Sequence, residues 1–379
     1  MPNPYDPQNP AKPHYFGGRF TALQIARDRI ERARTNYQSG GILIYGHRGV
    51  GKTSLLKKIN DMAGGENEIP SNTIIIYRRL SKTTSDTELY PMLNEEITQK
   101  IQERKTVIRK WVDAGRNIRG INLFELGLDL EKNKIEVSPY QKWKLFTNSL
   151  KNVDCVIISI DDADYLSVEA RGELKTIVEE GSATPILLVI SGGVMFESKL
   201  VDDYSPIARI FSGASLNLSR FTLEETKEVL SKPLNDEKTV WEEDAIKEVQ
   251  QITYGFPYLV QCLACASYKE DTTISKEIVQ KSVPLAINIG KSWLDHEISN
   301  ASDQDIESFA RLIRLNKDKE IFKSSEINES GVLSPYIGRL VKLGVLKKIS
   351  RGRYNLQKSP MIAIYESLKR GLIIADNNP

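Results

Sequence analysis

The stretch Gly46-His-Arg-Gly-Val-Gly-Lys52-Thr53 constrains the fold more than any other part of the chain. It fits G-x-x-x-x-G-K-[ST] without departure, follows the apolar run Ile42–Tyr45 and opens a helical pattern closed by Gly64-Gly65. Strand, glycine-rich turn and helix in that order build a phosphate cradle. Glycines let backbone N–H groups converge on phosphate oxygens, and the helix N-terminus adds favourable partial charge. Gly46, Gly49, Val50, Gly51, Lys52, Thr53 and Ser54 form the expected binding set. Within it, Lys52 reaches the β- and γ-phosphates and the Thr53 hydroxyl ligates Mg²⁺. The ligand implied is a nucleoside triphosphate, read as Mg²⁺-ATP with ADP as its product. His47 and Arg48 take variable positions and face solvent.

Four more β-rich runs follow: Thr73–Tyr77, Cys155–Ile160, Ile186–Ile190 and Ser215–Leu218, separated by helical stretches such as Glu88–Arg109 and Val168–Glu180. Runs that are apolar throughout and alternate with helices predict a five-stranded parallel sheet covered by helices on both faces, an α/β core. Ile121–Val137 reads as an inserted β-hairpin turning at Lys132-Asn133. Ahead of the core, a Pro- and Asn-rich arm is expected to be extended, and Phe20–Tyr37 reads as a helix. The composition is that of a globular chain: 379 residues, 40% hydrophobic and 27% charged, enough for two or three cores. Three cysteines (Cys155, Cys262 and Cys265) are too few for a disulfide framework. The N-terminus lacks the order of a signal peptide and no apolar run approaches about 18 residues, so the expectation is a cytoplasmic chain without a membrane span.

Hydrolysis needs more than a phosphate loop. The run CVIISIDDAD places Asp161 at the tip of an apolar strand, where a carboxylate holds Mg²⁺ through water, and Asp162 where a base polarises the attacking water. Ser191, after Ile186–Ile190, is placed to bond the attacking water or the γ-phosphate. Arg209, before the last strand, is a candidate arginine finger for a neighbouring subunit. A solvated acidic turn, an ordinary turn serine and a surface arginine are the plainer readings of these three features.

From Thr222 the pattern changes to helices: a capping box at Thr222–Glu225, then Trp241–Thr253 and Tyr258–Tyr268. Cys262 and Cys265, spaced i, i+3 among apolar neighbours, read as core rather than ligands. A further change near Ala301 brings helices at Ser302–Asn316, Ser324–Glu329 and Leu333–Leu343, then a hairpin over Val345–Leu356 turning at Arg351-Gly352. That is the outline of a winged helix. The expected organisation is an arm and helix (1–40), an ATPase core (41–221), an all-helical lid (222–295) and a winged helix (296–379). Gly331–Arg353 carries Arg339, Lys342, Lys347, Lys348, Arg351 and Arg353 and no acid. Such a face suits phosphate contacts to duplex DNA; a solvated basic face or a protein-contact surface is the alternative.

The motifs in order, PHYFGGR (13–19), GHRGVGKT (46–53), IDDADYL (160–166), LLVISGG (187–193), SPIARI (205–210) and YGFPYLVQ (254–261), together with the C-terminal winged helix, resemble AAA+ ATPases. The similarity is to the branch of origin-recognition initiators and the related STAND-type switch ATPases, over nearly the whole chain. The resemblance implies that Tyr15, Phe16 and Arg19 pack around adenine and that Ser191 is the first sensor. It also implies that Pro257 opens a lid helix over the nucleotide. Two departures stand out: Asp162 replaces the usual Glu, and Tyr258 stands where a second-sensor arginine belongs. Both point to a slow switch rather than a fast motor. DNA, protein partners and an ATP-dependent homo-oligomer are the implied partners; a signalling switch whose winged helix contacts protein is the alternative.

Overall fold

A computed structural model describes residues 3–35, 38–64, 72–113, 138–148, 150, 153–179, 183–203, 205–234, 238–315 and 321–372. The hairpin expected over 121–137 lies outside the described residues. The chain divides into two units, one of Lys12–His14 and Arg19–Ser219, the other of Met1–Ala11, Tyr15–Gly18 and Arg220–Pro379.

The first unit is built on five parallel strands: β1 (Gly40–Gly46), β2 (Thr73–Arg79), β3 (Cys155–Asp161), β4 (Ile186–Gly192) and β5 (Ser215–Leu218), in the order β2-β3-β4-β1-β5. The apolar runs lie where continuous hydrophobicity predicts. Every residue of β3 and β4 is buried, whereas the edge strands β2 and β5 alternate. Helices α1 (Phe20–Thr35), α2 (Lys52–Gly64), α3 (Asp86–Asp113) and α5 (Val168–Glu179) pack on the sheet. Between α3 and β3 runs α4 (Pro139–Asn148), and α6 (Phe196–Asp203) follows β4. Because all strands run one way, their C-terminal ends share one edge, where ligands bind in open α/β sheets.

The second unit holds α7 (Leu223–Ser231), α8 (Glu243–Thr253), α9 (Pro257–Ser267) and α10 (Lys276–Leu294). The capping box at Thr222 is formed, with its hydroxyl accepting from Glu225 N. One expectation is corrected here. The lid is not all-helical, because β6 (Val240–Trp241) and β7 (Thr273–Ile274) pair in parallel, and Trp241 ends a strand rather than starting α8. Two-residue strands are too short to show a period in sequence. The arm is anchored on this unit: the Tyr5 ring meets Trp241 and Tyr268 edge-on, and Trp241 Nε1 donates to the Tyr5 hydroxyl at 2.8 Å.

The same unit continues through α11 (Asp303–Leu315), β8 (Ile321–Lys323), α12 (Ser324–Glu329), α13 (Ser334–Lys342), β9 (Leu346–Ser350), β10 (Arg353–Leu356) and α14 (Pro360–Arg370). β8, β10 and β9 form an antiparallel sheet in that order, with the hairpin turning at Gly352 in the left-handed region (φ 72°). Three helices and a basic hairpin thus follow in the order expected of a winged helix. One continuous core, including Trp241, Trp293, Phe309, Phe322 and Tyr365, runs through the helical and C-terminal regions. Among the described residues, no helix is long and apolar enough to cross a membrane.

Candidate nucleotide site

The loop from His47 to Gly51 joins β1 to α2, so Lys52 and Thr53 are the first two helical residues and Ser54 follows on the same turn. Gly46, Gly49 and Gly51 have φ of 152°, 84° and 90°, conformations that L side chains rarely adopt. At Gly46 the space is also closed: a Cβ would lie 2.6 Å from the Leu218 carbonyl oxygen. Val50 is buried beneath the loop. Lys52 Nζ donates to the Gly46 and His47 carbonyls at 3.0 Å each. Burial lowers the Lys52 pKa, and Asp162, Asp164 and Asp161 oppose that shift.

Asp161 is fully buried at the end of β3 and is the hub of the site. Its Oδ2 accepts from the Thr53 hydroxyl at 2.8 Å and from the Tyr77 hydroxyl at 3.3 Å, while its Oδ1 accepts from the Ser191 hydroxyl. Three strand ends and the phosphate loop therefore converge on one carboxylate. Ser191 also accepts from Asp162 N at 3.3 Å, and Gly193 N donates to Asp164 at 2.6 Å, tying the β4 tip to the acidic turn. A hydroxyl and a carboxylate in contact are the hard oxygen donors that Mg²⁺ takes, the rest coming from water and phosphate. The donor set fits the ion. Among the described residues no cluster of three or more His, Cys, Asp or Glu is arranged to hold a different metal.

Asp162 sits beside this hub in a left-handed conformation (φ 57°, ψ 44°). Its carboxylate accepts from Arg79 Nε at 2.8 Å. Arg79 and Tyr77 were not among the residues expected from sequence. They reach the site because β2 lies next to β3, with Tyr77 opposite Ser159 and Arg79 opposite Asp161. Burial, then the Asp161 charge, pushes the Tyr77 phenol up to about 12, so it stays a donor.

Arg209 is not brought to this edge. Arg209 ends a 3-10 turn and lines a shallow cleft of about 340 Å³ with Arg29, Ser39, Gly40, Glu179 and Ile210. The Ile210 carbonyl accepts from Gly41 N, so Arg209 lies at the start of β1, roughly 20 Å from that strand's loop end. It therefore lies away from the phosphate loop of its own chain. Tyr15, Phe16 and Pro257 belong to the second unit, where Pro257 opens α9. The Tyr258 ring packs 5.8 Å from Trp293. Arg19, expected near adenine, donates to the Val50 and Ser219 carbonyls at 3.1 and 2.6 Å. Cys262 is buried, and that burial pushes its thiol up to about 12.

On the C-terminal sheet and α13, the expected basic face divides in two. Lys342, Lys347, Lys348, Arg351 and Arg353 are exposed, and among the described residues none is in an ion pair. Arg339 is different: Nε and Nη2 each donate at 2.7 Å to Asp305, whose side chain is 1% exposed. Arg339 holds α13 to α11 through this pair.

With this geometry established, comparison with known proteins is informative. Residues 34–194 match the family described as AAA domain. The AAA+ resemblance holds. The fold is similar to that of the ORC2 protein of Aeropyrum pernix in its ADPNP–ADP complexes (TM-score 0.52, 14% identity, 93% of this chain and 94% of that one). It is also similar to a Walker-type ATPase of Pyrococcus abyssi (TM-score 0.50, 15% identity, 92% and 95%). At such identities the likeness is one of fold. No curated protein matches the sequence.

Proposed function

We propose that this chain binds Mg²⁺-ATP, hydrolyses it slowly, and uses its nucleotide state to control assembly on duplex DNA through its C-terminal winged helix. The observation that carries this reading is the Asp161 hub: a buried strand-tip carboxylate bonded at once by Thr53 of the phosphate loop and by Ser191 of β4. Thr53 and Asp161 would hold Mg²⁺, which when bound neutralises charge on the β- and γ-phosphate oxygens. Lys52 turns from its loop carbonyls to those phosphates. Asp162 takes the proton of the water that attacks the γ-phosphorus as the bond to the ADP oxygen breaks, and Ser191 orients that water. The Asp162 carboxylate must first leave Arg79. That requirement, an acid one methylene shorter than Glu, and a tyrosine in place of the second-sensor arginine all support slow turnover. Arg209, remote from its own site, would complete a neighbour's in an ATP-dependent homo-oligomer.

The exposed lysines and arginines of the hairpin supply the DNA contact, while Arg339 also ties α13 to α11. The test is size-exclusion of the wild type and Lys52→Ala with ATP, ADP or neither, with and without duplex DNA. Co-elution with DNA that depends on ATP, and is lost in Lys52→Ala, supports the reading. Identical elution in every condition refutes it. Nucleotide-dependent assembly without DNA would favour a switch whose winged helix contacts protein.

A further inference from the structure

Arg19 is buried, at 7% exposure, although it is an arginine at the entrance to a helix. It adopts φ 62° directly after Gly18 at φ 74°, a pair of left-handed residues in succession. A non-glycine residue pays for that conformation only where its side chain is needed. The guanidinium supplies the reason. Nη2 donates to the carbonyl of Val50, inside the phosphate loop, and to the carbonyl of Ser219, directly after β5. Arg19 and Ser219 are the first and last residues of the continuous run 19–219 of this unit. The residue before Ser219, Leu218, is the one whose carbonyl closes the space at Gly46 and whose strand pairs with Gly46. One buried cation thus clasps the start of the unit, its end and the middle of its phosphate loop.

We propose that Arg19 is a positioning residue that sets the phosphate loop in its binding shape, rather than a contact to the base. The peptide group is planar and trans, so the Val50 C=O and the Gly51 N–H point in opposite directions. Fixing the carbonyl on Arg19 therefore aims the Gly51 N–H the other way, as one of the converging donors of the cradle. Arginine suits this role because it stays charged when buried and offers several donors in a rigid plane. Lysine offers a point charge with less reach. The inference rests on the phosphate loop binding a triphosphate, and its signature is independence of the base.

The test is calorimetric titration of the full chain, as wild type, Arg19→Gly and Arg19→Lys, with ATP, GTP and inorganic tripolyphosphate. Glycine occupies φ 62° without strain, so Arg19→Gly removes the side chain and leaves the backbone at ease. Arg19→Lys carries the test if a melting curve shows that the glycine variant is unfolded. The expected result for Arg19→Gly is an affinity loss of about tenfold or more, the loss of charge-assisted hydrogen bonds. That factor is the same for ATP and tripolyphosphate, the ATP-to-GTP ratio does not change, and Arg19→Lys falls between. A loss for ATP with none for tripolyphosphate, and a collapsed ATP-to-GTP ratio, would make Arg19 a base contact and overturn the proposal. Unchanged affinity in a folded Arg19→Gly would overturn it equally. A wild type that binds neither ATP nor tripolyphosphate overturns the nucleotide reading itself, and this proposal with it.

Discussion

Removing the Arg79 side chain should speed ATP turnover, and the structure limits by how much. Arg79 Nε lies 2.8 Å from Asp162, with side chains 62% and 33% exposed. The hydrogen bond to Asp162 raises the Arg79 pKa, so the cation is present throughout the ordinary pH range. A pair this open to solvent is worth about 0.2–1 kcal/mol. If Asp162 must break it before acting as base, that amount is part of the barrier. Since 1.4 kcal/mol is a factor of ten in rate, Arg79→Ala should raise kcat by about 1.4- to 5-fold. The assay is steady-state phosphate release at saturating Mg²⁺-ATP, with a melting curve as control, because an exposed pair contributes little to stability. Raising the salt should narrow the difference between wild type and variant, as exposed charges are screened. Equal or lower turnover in Arg79→Ala, with unchanged nucleotide affinity and melting temperature, would refute the view that Arg79 restrains the base.

Three further outcomes follow from the geometry. Arg339→Ala should lower stability in urea denaturation only modestly, because Ser302 keeps two donors on Asp305. Burial pushes the Asp305 carboxyl up, but the bonds from Arg339 and Ser302 outweigh it and hold it below the usual range. Its contribution is therefore present above the unfolded value of about 3.9 and is lost as pH falls through the folded one, a loss that Arg339→Ala should blunt. Lys347→Ala with Lys348→Ala should reduce the slope of log DNA affinity against log salt by about 1.8, or 0.9 for each phosphate contact, in filter binding. ATP affinity should fall with rising pH at values below the ordinary lysine pKa of about 10.4, since burial lowers Lys52 in the free protein and bound phosphate favours its charged form.

Much of this was legible in the sequence because hydrophobic continuity and the phosphate-loop motif are local signals. Strands β2, β3 and β4 and the Asp161 tip lie where the runs TIIIY, CVIISI and ILLVI indicate. What stayed hidden depends on neighbours distant in the chain. Tyr77 and Arg79 join the site through the pairing of β2 with β3, which no local pattern encodes. The one available signal was that an apolar run ends in the polar Tyr-Arg-Arg, at the strand ends where such sheets bind ligands. The ion pair of Arg339 was hidden because its partner, Asp305, lies 34 residues earlier, on α11. Arg19 was grouped with adenine by its motif, but its bond to Ser219 spans 200 residues and could not be read from the motif alone.

The central claim is that the phosphate loop and the Asp161 hub form one Mg²⁺-nucleotide site. Calorimetric titration of ATP with and without Mg²⁺, in the wild type, Thr53→Ala and Asp161→Ala, tests it most directly. The wild type should bind tightly and lose affinity when Mg²⁺ is removed, and the variants should bind more weakly with no response to Mg²⁺. A wild-type affinity indifferent to Mg²⁺, or variants that keep the full Mg²⁺ response, would contradict it.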